Sequence, residues 1–257
     1  MRLSLSSLLD RWFAPALDPE RVAWIAGGTF AHRGRHDQTV PENSPSAFAA
    51  AIAQGLGIEC DVQRSADGQV MVFHDAALER LTGATGALIK RTAAQLGTIR
   101  LTGSTDTIPT LRQLLHQIGG TVPLLIEVKS TRLTAIAPLC EAVLSDISGY
   151  RGLHAIMSFD PRISRWFANR APDTARGLVI TEERDRGLIG RLRRHFWLWI
   201  ARPDFLAYDI RDLPSRFAAS QRRRGLPIAT WTVRSPDLLE RARLHADAPI
   251  AEDAGLA

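Results

Sequence analysis

Four short runs between Phe30 and Asp75 gather residue types capable of acid–base and metal chemistry: Ala31-His32-Arg33-Gly34, Pro41-Glu42-Asn43-Ser44, Glu59-Cys60-Asp61 and Phe73-His74-Asp75. A fifth, Glu127-Val128-Lys129, lies farther along the chain. Imidazole titrates near neutral pH, so His32 and His74 suit general acid–base catalysis. Asp75 directly follows His74 and can help fix its loop. His36, His116, His154, His195 and His245 lack such neighbours and read as structural or exposed. Side chains two apart on a strand share a face, so Glu59 projects with Asp61 and Glu127 with Lys129. Three converging carboxylates raise one another's pKa unless positive charge sits among them. A hard divalent cation held by oxygen, Ca²⁺ or Mg²⁺, answers that need. Lys129 and Arg33 are the alternative counter-charges. The same two groups suit an anionic substrate, Arg as a planar fork and Lys as a point charge. Lys129 stands out because Lys90 is the only other lysine among 32 basic residues; a salt bridge to Glu127 is its plainer reading.

The elements that must position these residues follow from turn signals and apolar runs. Residues 24–31 read as a short buried strand ending at His32 and Arg33. Ser44 and Pro45 are an N-cap and a first-turn proline for a helix that ends at Gly55 and Gly57. Residues 58–62 form a second strand, Asp67-Gly68 a hairpin turn and residues 70–73 a return strand. The polar passage from about 76 to 107 is too long for an ordinary connection and reads as a small insertion with a short helix at 93–96. Ile108-Pro109-Thr110 opens the next helix. Strands are then expected at 123–128, 154–158, 176–180, 205–208, 228–232 and 249–251, with helices near 133–147, 160–169, 187–199, 215–224 and 236–245. Without the return strand, eight strands alternate with helices. That implies parallel pairing and an α/β fold of the (β/α)₈ TIM-barrel type, with the catalytic groups at the strand C-termini. An open doubly wound sheet is the runner-up, disfavoured because no Gly-rich phosphate loop opens a helix.

The chain of 257 residues reads as a single domain with an N-terminal helical extension over residues 1–23. Hydrophobic residues make up 45%, enough for a large core. No apolar run approaches the roughly 18 residues that span a bilayer. The N-terminus lacks an h-region and cleavage site, so a cytoplasmic location is expected. Cys60 and Cys140 are expected as reduced, buried thiols. Leu5, Leu8, Leu9, Trp12 and Phe13 mark a helix over residues 3–13. We read it as packed on the domain, covering part of the barrel that an eighth helix would cover, in preference to lying on a membrane. Net charge is +5, with basic runs at Arg184–Arg194 and Arg222–Arg224. These read as solvated helix faces. Nucleic acid is disfavoured because no aromatic–basic interleaving accompanies them, and an anionic lipid surface is the remaining alternative. The sequence sets no oligomeric state.

The ordered set His-Arg-Gly, Pro-Glu-Asn, Glu-x-Asp, His-Asp and Glu-x-Lys resembles the glycerophosphodiester phosphodiesterase family. The resemblance continues through Ile108-Pro109-Thr110-Leu111, Ser158-Phe159-Asp160 and Thr230-Trp231-Thr232-Val233, covering about residues 28–235. It implies a (β/α)₈ barrel with an insertion after the second strand. It also implies metal-dependent hydrolysis of small glycerophosphodiesters to an alcohol and glycerol 3-phosphate, through a cyclic phosphate. Carried over, Glu59, Asp61 and Glu127 are the metal ligands, with Ca²⁺ or Mg²⁺. His32 and His74 are the acid–base pair, and Arg33, Lys129 and Trp231 are substrate contacts. Glu42 and Asn43 support His32 or the metal, and Phe159 would line the pocket. A lysophospholipase D-type enzyme and a non-catalytic phosphate- or headgroup-binding barrel are the rival functions. The chain departs from the family's Asp-Gly-Ile-Ile-Thr-Asp at Asp247-Ala248-Pro249-Ile250-Ala251-Glu252-Asp253, where the eighth strand is expected.

Overall fold

The computed structural model describes residues 5–15, 19–131, 134–183 and 186–256. In chain order its elements are α1 (Leu5–Phe13), β1 (Phe30–His32), α2 (Pro45–Ala53), β2 (Gly57–Arg64), β3 (Val70–Val72), α3 (Ala93–Leu96), α4 (Leu111–Ile118), β4 (Leu124–Val128) and α5 (Ile136–Ile147). There follow β5 (His154–Ser158), α6 (Pro161–Arg170), β6 (Ala175–Ile180), α7 (Leu188–Ala201), β7 (Phe205–Asp209), α8 (Arg216–Arg222), β8 (Ile228–Val233), α9 (Pro236–His245) and β9 (Ala248–Ala251). β3 is the antiparallel hairpin return on β2. The other eight strands alternate with helices, the (β/α)₈ class expected from the sequence. Residues 3 and 4 of the expected first helix, residue 133 of the expected fifth and Arg184 of the basic run lie outside the described residues.

The chain divides into two compact units, Phe30–His154 and Met1–Thr29 with Ala155–Ala257. In the first, β2 pairs in parallel with β1 on one side and β4 on the other. Its helices α2, α3 and α4 begin where side chains satisfy free backbone N–H groups. The Ser44 side chain accepts from Ala47 N with Pro45 behind it, and Thr110 forms a reciprocal capping box with Gln113. The insertion has a small core of its own. Leu78, Leu88, Leu96 and Leu101 pack with Met71, Phe73 and Ile108, which is why a stretch lacking long elements keeps a fixed shape. Cys60 and Cys140 are both free and buried.

In the second unit β5, β6, β7, β8 and β9 pair in sequence, all parallel. The core there is Leu178, Ile180, Leu198, Leu206, Tyr208, Ile228 and their neighbours. Despite its departure from the family pattern, the last strand forms, with Ala248 beside Ala229 and Ala251 beside Val233.

Two expectations change. The first strand begins at Phe30, because the preceding residues turn through a 3₁₀ segment at Pro19–Val22 and a left-handed Gly27 (φ +79°). Only residues 30–32 meet the ladder of β2. The N-terminal helix does pack, but on α7 and α8, the helices after the fifth and sixth parallel strands, not at the place of an eighth helix. Its anchor is Asp10, which accepts hydrogen bonds from His195, Trp199 and Gln221, each at 2.8 Å. Phe13 rests on the Trp199 ring at 5.1 Å.

Candidate active site

Strand register brings the site together within the unit Phe30–His154. His32 lies beside Glu59 across β1 and β2, and Asp61 lies beside Glu127 across β2 and β4. Alternation then points Glu59 and Asp61 the same way. Carboxylate oxygens of Glu59, Asp61 and Glu127 all lie within 4.8 Å of one another, and all three residues are buried. Glu59 and Asp61 lie inside β2 and not at its end, because Val62–Arg64 continue the strand by pairing with β3.

Two cations are threaded through these acids. Lys129 Nζ lies 2.8 Å from Asp61 Oδ1 and 2.5 Å from Glu127 Oε1. Arg33 Nε lies 3.0 Å from Asp61 Oδ2, while its Nη1 donates to Glu42 Oε1 at 2.7 Å. Arg33 adopts a left-handed backbone (φ 56°) and donates its own N–H to Glu59 Oε2 at 3.1 Å. The turn needs a glycine next: at Gly34 (φ +82°) a Cβ would lie 2.9 Å from the Ala47 backbone carbon. Asn43 locks the other side, donating Nδ2–H to Asp61 Oδ2 at 2.9 Å and accepting from Asp61 N–H at 3.3 Å.

The three acids are not equivalent. Burial pushes Glu59 well above the ordinary carboxylate range, and the charges of Asp61 and Glu127 push it further; Arg33 and Lys129 offset this only in part. Burial also acts on Asp61, but Lys129, Arg33 and His74 outweigh it and hold Asp61 below that range. Lys129 is itself desolvated, yet Glu127 and Asp61 raise its pKa above the normal lysine value. Among the described residues, Arg33 and Lys129 thus compensate negative charge at Glu59 only in part. A hard cation accepting one oxygen from each acid fits this donor set.

Both histidines stand beside acids, and one is hydrogen-bonded to its acid. His32 Nε2 lies 4.0 Å from Glu59 Oε2. His74 Nδ1 is hydrogen-bonded to Asp75 Oδ1 at 2.7 Å, which fixes the ring and leaves Nε2 for other work. Sequence reading missed two residues that build this corner. Arg80, from the insertion, reaches Asp75 Oδ2 at 2.5 Å and clasps both oxygens of Glu42 at 2.7 and 3.1 Å. Gln63 donates to the carbonyls of Phe73, His74 and Asp75 at 2.9, 3.0 and 2.7 Å. Its signal was its place two residues beyond Asp61 on the same strand face. Arg80 carried no comparable signal, since its position depends on the fold of the insertion. Glu42, expected to support His32 or a metal, bridges Arg33 and Arg80. Trp231, in the other unit, donates its indole N–H to Ala207 O at 3.0 Å and meets Phe159 edge-on at 5.5 Å.

Comparison with known proteins agrees with this geometry. The chain is 36% identical over 110 residues to a glycerophosphodiester phosphodiesterase of Caldanaerobacter subterraneus, a match covering 39% of this chain and 44% of that protein. The chain thus spans under half the length of the curated relative it matches. Among solved structures it is similar to a phosphodiesterase of Oleispira antarctica in complex with the product sn-glycerol-3-phosphate (TM-score 0.75, 23% identity, 88% of this chain and 93% of that one). It is also similar to a glycerophosphodiester phosphodiesterase of Thermotoga maritima (TM-score 0.70, 26% identity, 89% and 95%). The model of the glycerophosphoryl diester phosphodiesterase family matches residues 32–254, and the chain belongs to that family.

Proposed function

We propose that the protein hydrolyses glycerophosphodiesters to an alcohol and sn-glycerol 3-phosphate with a divalent metal, using His32 and His74 as the acid–base pair. The observation that carries this reading is the carboxylate trio Glu59, Asp61 and Glu127, with His32 4.0 Å from Glu59, His74 held by Asp75, and Lys129 and Arg33 threaded between the acids. Glu59, Asp61 and Glu127 would hold the ion, Ca²⁺ or Mg²⁺. Bound there, it would supply Lewis-acid polarisation of the substrate.

The chain's own groups do the rest. One imidazole takes the proton from the glycerol hydroxyl neighbouring the ester. The freed oxygen attacks phosphorus and the P–O bond to the alcohol breaks, while the second imidazole protonates the departing oxygen. The product is a cyclic phosphate. Water then opens it with the two roles exchanged. Arg33 and Lys129 neutralise phosphate oxygens as charge builds on them. Asp75 and Arg80 orient His74, and Asn43 orients Asp61.

The test is an assay of purified protein on glycerophosphocholine, glycerophosphoethanolamine and lysophosphatidylcholine, with Ca²⁺, Mg²⁺ or chelator. Release of glycerol 3-phosphate from the first two, abolished by chelator, is expected. Replacing His32 or His74 by Ala should lower kcat by about 10²-fold or more. Full activity in chelator would remove the metal from the reading, and turnover of none of the three would point to a binding protein.

A further inference from the structure

α7 carries more apolar surface than its packing uses. Gly190, Arg194, Leu198 and Ala201 form its buried side. A different side exposes Leu188, Leu192 and Phe196 at four-residue spacing, with Ile189 next to them and 81% exposed. Residues at that spacing form one row along a helix. The adjoining α1, fixed by Asp10 and Phe13, exposes Leu8 and Trp12, the latter also 81% exposed. Of the Arg184–Arg194 run read as a solvated face, Arg186 and Arg191 are exposed and Arg194 is buried, and the apolar side chains share the solvent-facing surface. Single exposed apolar residues are ordinary, but a row of them on one helix marks a contact surface.

A cavity of 620 Å³ opens beside this helix, past the ends of β6 and β7. Five arginines line it, Arg186, Arg191, Arg194, Arg216 and Arg223. Arg194 is neutralised by Glu182 at 3.0 Å, and Arg186 lies 3.7 Å from Asp212. Among the described residues, Arg191, Arg216 and Arg223 have no carboxylate within ion-pair distance. Apolar side chains beside unpaired guanidinium groups are the composition of a helix that lies in the headgroup region of an acidic membrane.

We propose that α7, with the outer side of α1, docks the protein on an anionic phospholipid bilayer, its apolar row entering the headgroup–acyl boundary and the arginine cavity receiving lipid phosphates. Charge decides between occupants. A second copy on the same face would set these arginines against their own kind. A nucleic acid would leave the row Leu188, Leu192 and Phe196 without a partner, since its affinity comes from phosphate contacts. An anionic bilayer satisfies both parts. The proposal is independent of the chemistry at Glu59, Asp61 and Glu127.

The experiment is vesicle flotation of the full chain, using phosphatidylcholine alone and phosphatidylcholine with about 30 mol% phosphatidylglycerol, at low and high salt. Binding to the acidic vesicles that weakens with salt is expected, with little binding to the neutral ones. Leu192→Glu with Phe196→Glu should abolish flotation while leaving turnover of glycerophosphocholine and the melting temperature unchanged. Arg191→Ala with Arg223→Ala should weaken it roughly thirtyfold, about one factor of five per arginine removed. Equal binding to both vesicle types, binding to neither, or full binding by the double glutamate variant would overturn the proposal. So would sedimentation showing a dimer of the wild-type chain that the glutamate variant dissociates.

Discussion

Among the described residues, Asp10 and Glu59 are buried carboxylates that each lie beside a histidine, and they differ in how completely the carboxylate is satisfied. At Asp10 one acid meets three donors, His195, Trp199 and Gln221, with Arg224 Nη1 at 4.0 Å. Burial pushes Asp10 up, but those hydrogen bonds outweigh it and hold the group below the ordinary carboxylate range. At Glu59, Asp61 and Glu127, three acids share two cations, and the least neutralised of them, Glu59, is driven the other way. A buried acid with a full set of donors ties elements together, here α1 to α7 and α8. A crowded set short of positive charge is unstable by itself and is retained for what it can hold.

The largest effect that tests this contrast is at Glu59. Glu59→Gln keeps the size of the side chain and an acceptor for the Arg33 N–H, but removes the charge that the protein fails to neutralise. We expect kcat/KM to fall about 10³-fold, about 4 kcal/mol of transition-state stabilisation. Thermal stability without divalent cation should be unchanged or higher, because a repulsive charge has gone. Steady-state kinetics and calorimetry on one preparation measure both. Retained activity, or a large drop in melting temperature, would make Glu59 a structural acid like Asp10.

Asp10→Ala should show the reverse pattern. Three donors, Gln221 buried and His195 and Trp199 half-buried, would lose their acceptor, and we expect a loss of about 3 kcal/mol of stability. In a chain of this size that lowers Tm by roughly 6–12 °C. Turnover per folded molecule, measured well below the transition, should match wild type. A kcat effect at Asp10 with normal melting would break the contrast.

Much of the site was legible in the sequence because strand alternation is a strict period of two. Glu59 with Asp61 and Glu127 with Lys129 announced shared faces, and the parallel register of β2 with β4 then set Asp61 beside Glu127. The helix starts were legible for a similarly local reason, as at Ser44-Pro45 and Thr110. What could not be read depends on nonlocal geometry. Residues 24–29 are short and apolar enough to resemble strand, and only their lack of a ladder partner shows that the strand starts at Phe30. Asp10 reads as the polar side of an amphipathic helix until α7 and α8 surround it. Arg80 belongs to an insertion whose shape comes from a small leucine core, so no spacing rule links it to His74.

Arg80 therefore offers the next, smaller test. It touches neither the carboxylate trio nor His74 directly, and acts through Asp75 and Glu42. Arg80→Ala should lower kcat about tenfold by loosening the Asp75–His74 pair, in the range seen when partners behind a site residue are removed. Arg80→Lys, which keeps one contact, should recover part of the loss. The midpoint of the pH–rate profile should also move in the Ala variant, a change that a purely structural role would not produce.

The smallest expected effect separates charge from hydrogen bonding at Asp10. Asp10→Asn keeps one acceptor oxygen and the side-chain shape, so it should cost only about 1 kcal/mol near neutral pH. The folded pKa of Asp10 lies below its ordinary value of 3.8. Its ionised form therefore contributes stability that is fully present above that value, where folded and unfolded chains are both ionised. As pH falls below it, the unfolded chain takes up the proton first, and the contribution is lost as pH falls through the folded pKa. The melting curves of wild type and Asp10→Asn should thus differ at pH 6 and converge as the pH falls below 3.8. A difference that stays constant across that range would mean that Asp10 anchors α1 by shape and not by charge. Its contrast with Glu59 would then rest on the number of donors alone.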